Sequence, residues 1–168
     1  MKPSGGSIDR LLKSPPPEMR VFVIFGPDSG LVRERAQILS QAIAGDPDDP
    51  FNVTRLSDED IKSDTAALAD AMAAMSMMGG ERLVRVRLSA DSAPVARWIS
   101  EFEAGSMPAE GRLVVEAGNL TKASKLRKAA EDGKRSAAIA CYEDNARDLI
   151  ALAEESFQAA GLSLAGEA

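Results

Sequence analysis

Apolar residues along the chain fall into short continuous runs separated by stretches with helical spacing. The first run is VFVIF, Val21 to Phe25, followed at once by Gly26-Pro27. A run this short, rich in β-formers and closed by turn residues, predicts a strand buried on both faces. Asp28 or Ser29 can cap a helix. Leu31, Arg35, Ile38, Leu39 and Ala42 then recur at helical spacing until Gly45-Asp46-Pro47 stops the pattern.

The same alternation repeats. Asn52 to Leu56 predicts a second strand, and a helix follows from about Thr65 to Met75. Within it Leu68, Met72 and Met75 stand at i, i+4 and i+7, one apolar face that closes at Gly79-Gly80. RLVRVRL, Arg82 to Leu88, alternates apolar and basic residues and predicts a third strand with one less buried side. Asp91 or Ser92 can cap a helix with Pro94 in its first turn and Val95, Trp98, Ile99 and Phe102 on its apolar side. LVVE, Leu113 to Glu116, is the fourth strand. Thr121 can cap KASKLRKAAE, which ends before Gly133, and AAIACY, Ala137 to Tyr142, is the fifth strand. A last helix spans roughly Ala146 to Ala160, with Leu149, Ile150, Leu152, Ala153 and Phe157. Ahead of all this, residues 1–20 read as a flexible polar segment. Pro15-Pro16-Pro17 is a stiff spacer, and Ile8, Leu11 and Leu12 suit one short helical turn packed on the domain.

Connections of this length suit crossover helices rather than hairpins. The prediction is an α/β domain over residues 21–142, a parallel sheet of about five strands flanked by helices, with a helical unit beginning at 143–168. In such sheets ligands and partners sit at the C-terminal strand ends.

Composition narrows the chemistry. The chain has no histidine, which excludes Ser-His-Asp and Cys-His catalysis and His-ligated metal sites. Its one cysteine, Cys141, can form neither an internal disulfide nor a Cys-rich zinc site, and reads as a small apolar core residue. No catalytic residue, metal site or cofactor is predicted. The net charge of −6 argues against a stand-alone nucleic-acid binder. The polar start lacks a secretory apolar region and no window spans a membrane, so a cytoplasmic protein without membrane contact is expected.

The turn Gly26, Pro27, Asp28, Ser29, Gly30 stands where a phosphate-binding loop would stand. Such a loop needs a lysine for the terminal phosphates and a hydroxyl for magnesium. Leu31, Val32 and Arg33 follow Gly30 instead, and Asp28 puts a negative charge where a phosphate belongs. A capped strand-to-helix turn is the better reading. Glu116 ends an apolar strand as a magnesium-side acid would, but without a phosphate loop it reads as a strand-end residue.

The ordered segments VFVIFGPDSGLVRERA, DPDDPFNVTRLSDEDI, ALADAMAAMSMMGGERLVRVR, GRLVVEAGNLTKASKLRKAAE and AAIACYEDNARDLIAL resemble the N-terminal part of the delta subunit of bacterial DNA polymerase III. That family is the clamp-loader subunit that opens the sliding clamp. The resemblance implies an AAA+-type RecA-like domain followed by a helical lid. It implies a non-catalytic subunit of a DNA-directed DNA polymerase holoenzyme, whose partners are the sliding clamp, the gamma/tau and delta prime subunits and, indirectly, DNA. The family carries a longer C-terminal half, so a chain ending at Ala168 is expected to be a fragment.

The resemblance also places a clamp-gripping wedge at Ala73 to Met78, with Met75, Ser76, Met77 and Met78 as contact residues. Ala73 stands where the family often has Gln, and Met77-Met78 where it has Leu-Phe. On a continued helix Met77 lies opposite the stripe of Leu68, Met72 and Met75, so it should point outward. Lys122, Lys125, Arg127 and Lys128 form a basic cluster that could approach DNA phosphates or simply be a solvated helix face. Two alternatives stay open. One is a degenerate phosphate-loop or receiver-like regulatory domain, although Asp91 falls three residues beyond Leu88, too late for a receiver acid. The other is a structural scaffold domain.

Overall fold

The computed structural model describes residues 1–142 and 146–161. Five parallel strands, β1 (Val21–Phe25), β2 (Val53–Ser57), β3 (Leu83–Arg87), β4 (Arg112–Ala117) and β5 (Ser136–Ala140), lie in the order β2-β3-β4-β1-β5. This is the doubly covered parallel sheet the sequence pattern predicts. Every residue of β1 is buried. Val21, Val23 and Phe25 project into one core; Phe22 and Ile24 project into the other.

The helices sort onto these two cores. α1 (Gly6–Lys13) and α2 (Ser29–Ala44) cover the face of Phe22 and Ile24. α3 (Asp58–Ser63), α4 (Ala67–Ala73), α5 (Ala93–Glu103) and α6 (Lys125–Asp132) cover the face of Val21, Val23 and Phe25. The segment read as flexible thus carries α1, whose Ile8, Leu11 and Leu12 are buried against the domain. Cys141 is buried, and burial pushes its thiol above the ordinary value despite the nearby Arg35 guanidinium. α7 (Ala146–Ala159) occupies the span expected for the lid helix. The side chains of Leu149, Ile150 and Leu152 and the boundary expected at 143–145 lie outside the described residues.

Several local expectations are corrected. The helix expected from Thr65 to Met75 is α4, which ends at Ala73. Ala74 is extended, and the carbonyl of Met72 accepts the amides of Glu110 (2.9 Å) and Gly111 (3.4 Å). That carbonyl is the one a continuing helix would offer to Ser76. Leu68 and Met72 are core residues, but Met75 is 72% exposed, so the third member of the predicted apolar face is not in it. α3 was not predicted, although Ser57 and Asp60 form a reciprocal capping box at its start.

Thr121 caps nothing. Ser124 caps α6, its Oγ accepting from the Arg127 amide at 3.1 Å. Asp91 does not cap α5. Its carboxylate instead accepts from Ser124 Oγ (2.8 Å) and from the Leu126 and Lys125 amides (both 3.1 Å), fastening the loop before α5 to the start of α6. Burial pushes the Asp91 carboxyl up. The hydrogen bonds from Ser124, Leu126, Lys125 and Ser92 outweigh burial and leave it below the ordinary value.

A depressed carboxyl stabilises the fold above its unfolded pKa of about 3.9 and loses that contribution as pH falls through the lower folded value. Asp91→Ala should therefore cost about 1 kcal/mol near neutral pH, the ordinary worth of a helix cap. The difference between variant and parent should shrink on acidification below about pH 3 to 4. Urea unfolding of both proteins across this range measures it.

Candidate functional site

A parallel sheet sends every loop that precedes a strand to one end and every loop that follows a strand to the other. The Gly26–Gly30 turn follows β1 and lies at the C-terminal end. Gly26 has φ +155°, and a Cβ there would stand 1.9 Å from the Cys141 carbonyl oxygen, so the close approach of the chain after β5 requires glycine. The Gly26 amide donates to the Gly118 carbonyl at 3.2 Å. Asp28 caps α2, its Oδ1 accepting from the Leu31 amide at 3.0 Å. Its own carboxylate thus stands at the helix N-terminus, where an anion would otherwise bind. Pro27 and Gly30 are exposed and complete a capped turn.

At the same end Glu116 is more than a strand-end residue. Its carboxylate is buried and accepts from Arg85 at 2.7 Å and from Arg87 at 3.4 Å. Arg85 and Glu116 come from adjacent strands, and the register sets Arg87 beside Glu116. Sequence alternation made Arg85 a less buried position. The ion pair lets it be buried, while Arg87 stays exposed.

The methionine loop precedes β3 and lies at the opposite, N-terminal end. Met75, Met77 and Met78 are 72%, 95% and 74% exposed. Met77 points outward as expected, but because the helix has ended rather than because it continues. The backbone beneath is pinned. Ser76 Oγ donates to Asn52 Oδ1 at 2.7 Å and Asn52 Nδ2 donates to the Gly79 carbonyl at 3.1 Å. Gly79 and Gly80 take φ +78° and +90°, which turn the chain back into β3. Asn52 is buried at the entry to β2. Phe51 beside it is 66% exposed, and its carbonyl accepts from Arg82 at 3.1 Å. Phe51 therefore joins the three methionines at one end of the sheet. Sequence reading did not single it out, because an aromatic residue at a strand entry reads as core.

The structure does not keep the basic cluster together. Arg127 is buried, bonded to Glu131 at 2.7 Å and to the Leu120 carbonyl at 3.2 Å, with its guanidinium 5.0 Å from the centre of the Phe25 ring. It is a packing residue. Lys122, Lys125 and Lys128 are exposed. Lys125 and Lys128 share the cleft between α5 and α6 with Arg97 and Lys134, a space of about 620 Å³.

No protein-family model matches the chain, and no curated protein matches it. Among solved structures it is similar to a DNA clamp loader delta protein of Bacillus subtilis, with 19% identity and a TM-score of 0.58, over 91% of this chain and 47% of that one. It is also similar to a DNA polymerase III gamma subunit-related protein of Thermotoga maritima, with 13% identity and a TM-score of 0.49, over 93% and 53%. The chain spans about half the length of the structures it matches. The first likeness agrees with the α/β fold of a parallel sheet flanked by helices.

Removing one partner of the buried pair should be costly. Glu116→Ala leaves Arg85 buried and uncompensated, and should destabilise the fold by about 3–5 kcal/mol. Replacing both, as Arg85→Met with Glu116→Leu, should cost much less. Chemical denaturation of the three proteins makes the comparison.

Proposed function

We propose that this chain acts in DNA replication as part of a clamp-loader subunit, gripping the sliding clamp through the methionine loop and helping to open it. Met77 and Met78 are the anchors, with Met75 and Ser76 in the same loop and Phe51 beside it. The other contacts in such an assembly are the gamma/tau and delta prime subunits and, through them, DNA. The chain contributes no nucleotide hydrolysis of its own.

One observation carries this reading: three large apolar side chains stand exposed on a loop whose backbone is tied down by Ser76, Asn52 and Gly79. Exposed apolar patches mark interaction surfaces. A fixed backbone lowers the cost of ordering on binding, while methionine's flexible thioether lets the side chain fit a partner's pocket. The fold likeness to a clamp loader delta protein supports the choice of partner. The self-capped Asp28 turn, without lysine or hydroxyl after Gly30, supports the absence of a nucleotide role.

Each buried anchor contributes roughly 1.5–3 kcal/mol, and interface energy concentrates in a few central residues. Met77→Ala with Met78→Ala should weaken binding to the sliding clamp by about ten- to a thousandfold. Its melting temperature should match the parent's. Met72→Ala should do the reverse, costing about 2–5 kcal/mol of stability as a core truncation. Surface plasmon resonance and thermal melting read the two effects. A double variant that binds like the parent, or melts much lower, overturns the assignment. With Mg-ATP, the amide signals of Gly26 to Leu31 should stay in place and no phosphate should be released. Movement of those signals with saturable ATP binding would contradict the non-catalytic reading.

A further inference from the structure

A second concave region lies toward the C-terminal end of the sheet on its α2 side, at the end opposite the methionine loop. α2 packs on β4, β1 and β3, and beside it, over the C-terminal part of β2 and β3, lies a pocket of about 430 Å³. Arg33 and Gln37 enter it from α2, Arg55 from β2, Arg85 and Arg87 from β3, and Glu116 from β4. The register sets Arg55 beside Arg85 and Arg87 beside Glu116. A chain of net charge −6 thus gathers four guanidinium groups around one opening.

Packing accounts for only part of this. Arg85 is held by Glu116 at 2.7 Å and by Gln37 Oε1 at 3.2 Å, which makes it a fixed floor with N–H donors to spare. Arg55 is paired with Asp48. Asp60, the other acid of the pocket, accepts from the Ser57 amide and hydroxyl. Arg87 is 63% exposed at its side chain and holds Glu116 only at 3.4 Å. Among the described residues the Arg33 side chain makes no ion pair or hydrogen bond, and it is exposed.

We propose that this pocket binds a small phosphate-bearing ligand, with Arg33 and Arg87 as its arms and Arg85 as its floor. The guanidinium fork matches phosphate oxygens in paired hydrogen bonds. Donors arriving from α2, β2 and β3 converge from several directions, which suits a tetrahedral oxyanion better than a planar carboxylate. The volume lies within the range of small-molecule sites, and the pocket lies toward the C-terminal strand ends. The assignment is independent of the clamp reading, because the methionine loop lies at the opposite end of the sheet.

The test is a titration of the whole chain with inorganic pyrophosphate, read by calorimetry and by amide shifts. Saturable binding that moves the signals of Arg33, Arg55 and Arg87 is expected. Arg33→Ala and Arg87→Ala should each weaken it by about tenfold or more, the usual loss of a charge-assisted hydrogen bond. Both side chains are exposed, so circular dichroism should show intact folds. Arg97→Ala, in the α5–α6 cleft, should bind as the parent does. No saturable binding, unchanged affinity in both pocket variants, or an equal loss in Arg97→Ala overturns the proposal. A glutamate-rich peptide or a single-stranded oligonucleotide that takes the pocket more tightly than pyrophosphate overturns the small-molecule assignment.

Discussion

Parallel pairing is the constraint on which the rest of this structure depends. Each strand must be reached by a crossover, so the helices are spread over both faces and the sheet interior is closed to water. A strand buried on both sides tolerates little polarity, which is why β1 is VFVIF and buried throughout. Polar chemistry is left to the ends of the strands. The capped turn and the arginine pocket are sorted to one end, the methionine loop and Phe51 to the other. A five-residue strand separates them by roughly 17 Å, at about 3.3 Å per residue.

The exception inside the sheet shows how strict the constraint is. Arg85 and Glu116 are buried on adjacent strands, and each is tolerable only because the other is there. Their partnership also sets what the neighbouring surface can be. With Glu116 occupied mainly by Arg85, the charge of Arg87 is only loosely met, and that of Arg33 is not met at all among the described residues.

Much of the fold was legible because continuous apolar runs and helical spacing are local signals. All five strands stand within one or two residues of where the pattern placed them. What escaped was tertiary. The end of α4 depends on the Glu110 amide reaching the Met72 carbonyl, a contact across 38 residues that no helical wheel contains. The outward position of Met77 was therefore foreseen on a wrong premise, and Met75 was misplaced. Lys122 and Arg127 look alike in sequence, yet only Arg127 has Glu131 one turn ahead and an aromatic ring beneath it. Asp91 had the right chemistry for a cap but serves the helix after the next strand. α3 was the avoidable miss, since Ser57 and Asp60 carry a capping box in plain view.

The Asn52 clasp separates two properties that are usually coupled. One buried amide joins the entry of β2 to the turn before β3, so the direction in which the loop faces is set by the sheet. The exposed side chains of Met75, Met77 and Met78 are little constrained by the domain itself. Substitutions at 75, 77 and 78 leave the fold undisturbed, whereas position 52 is tied into it. Over evolutionary time such a loop can be retuned tooth by tooth while its mounting stays the same.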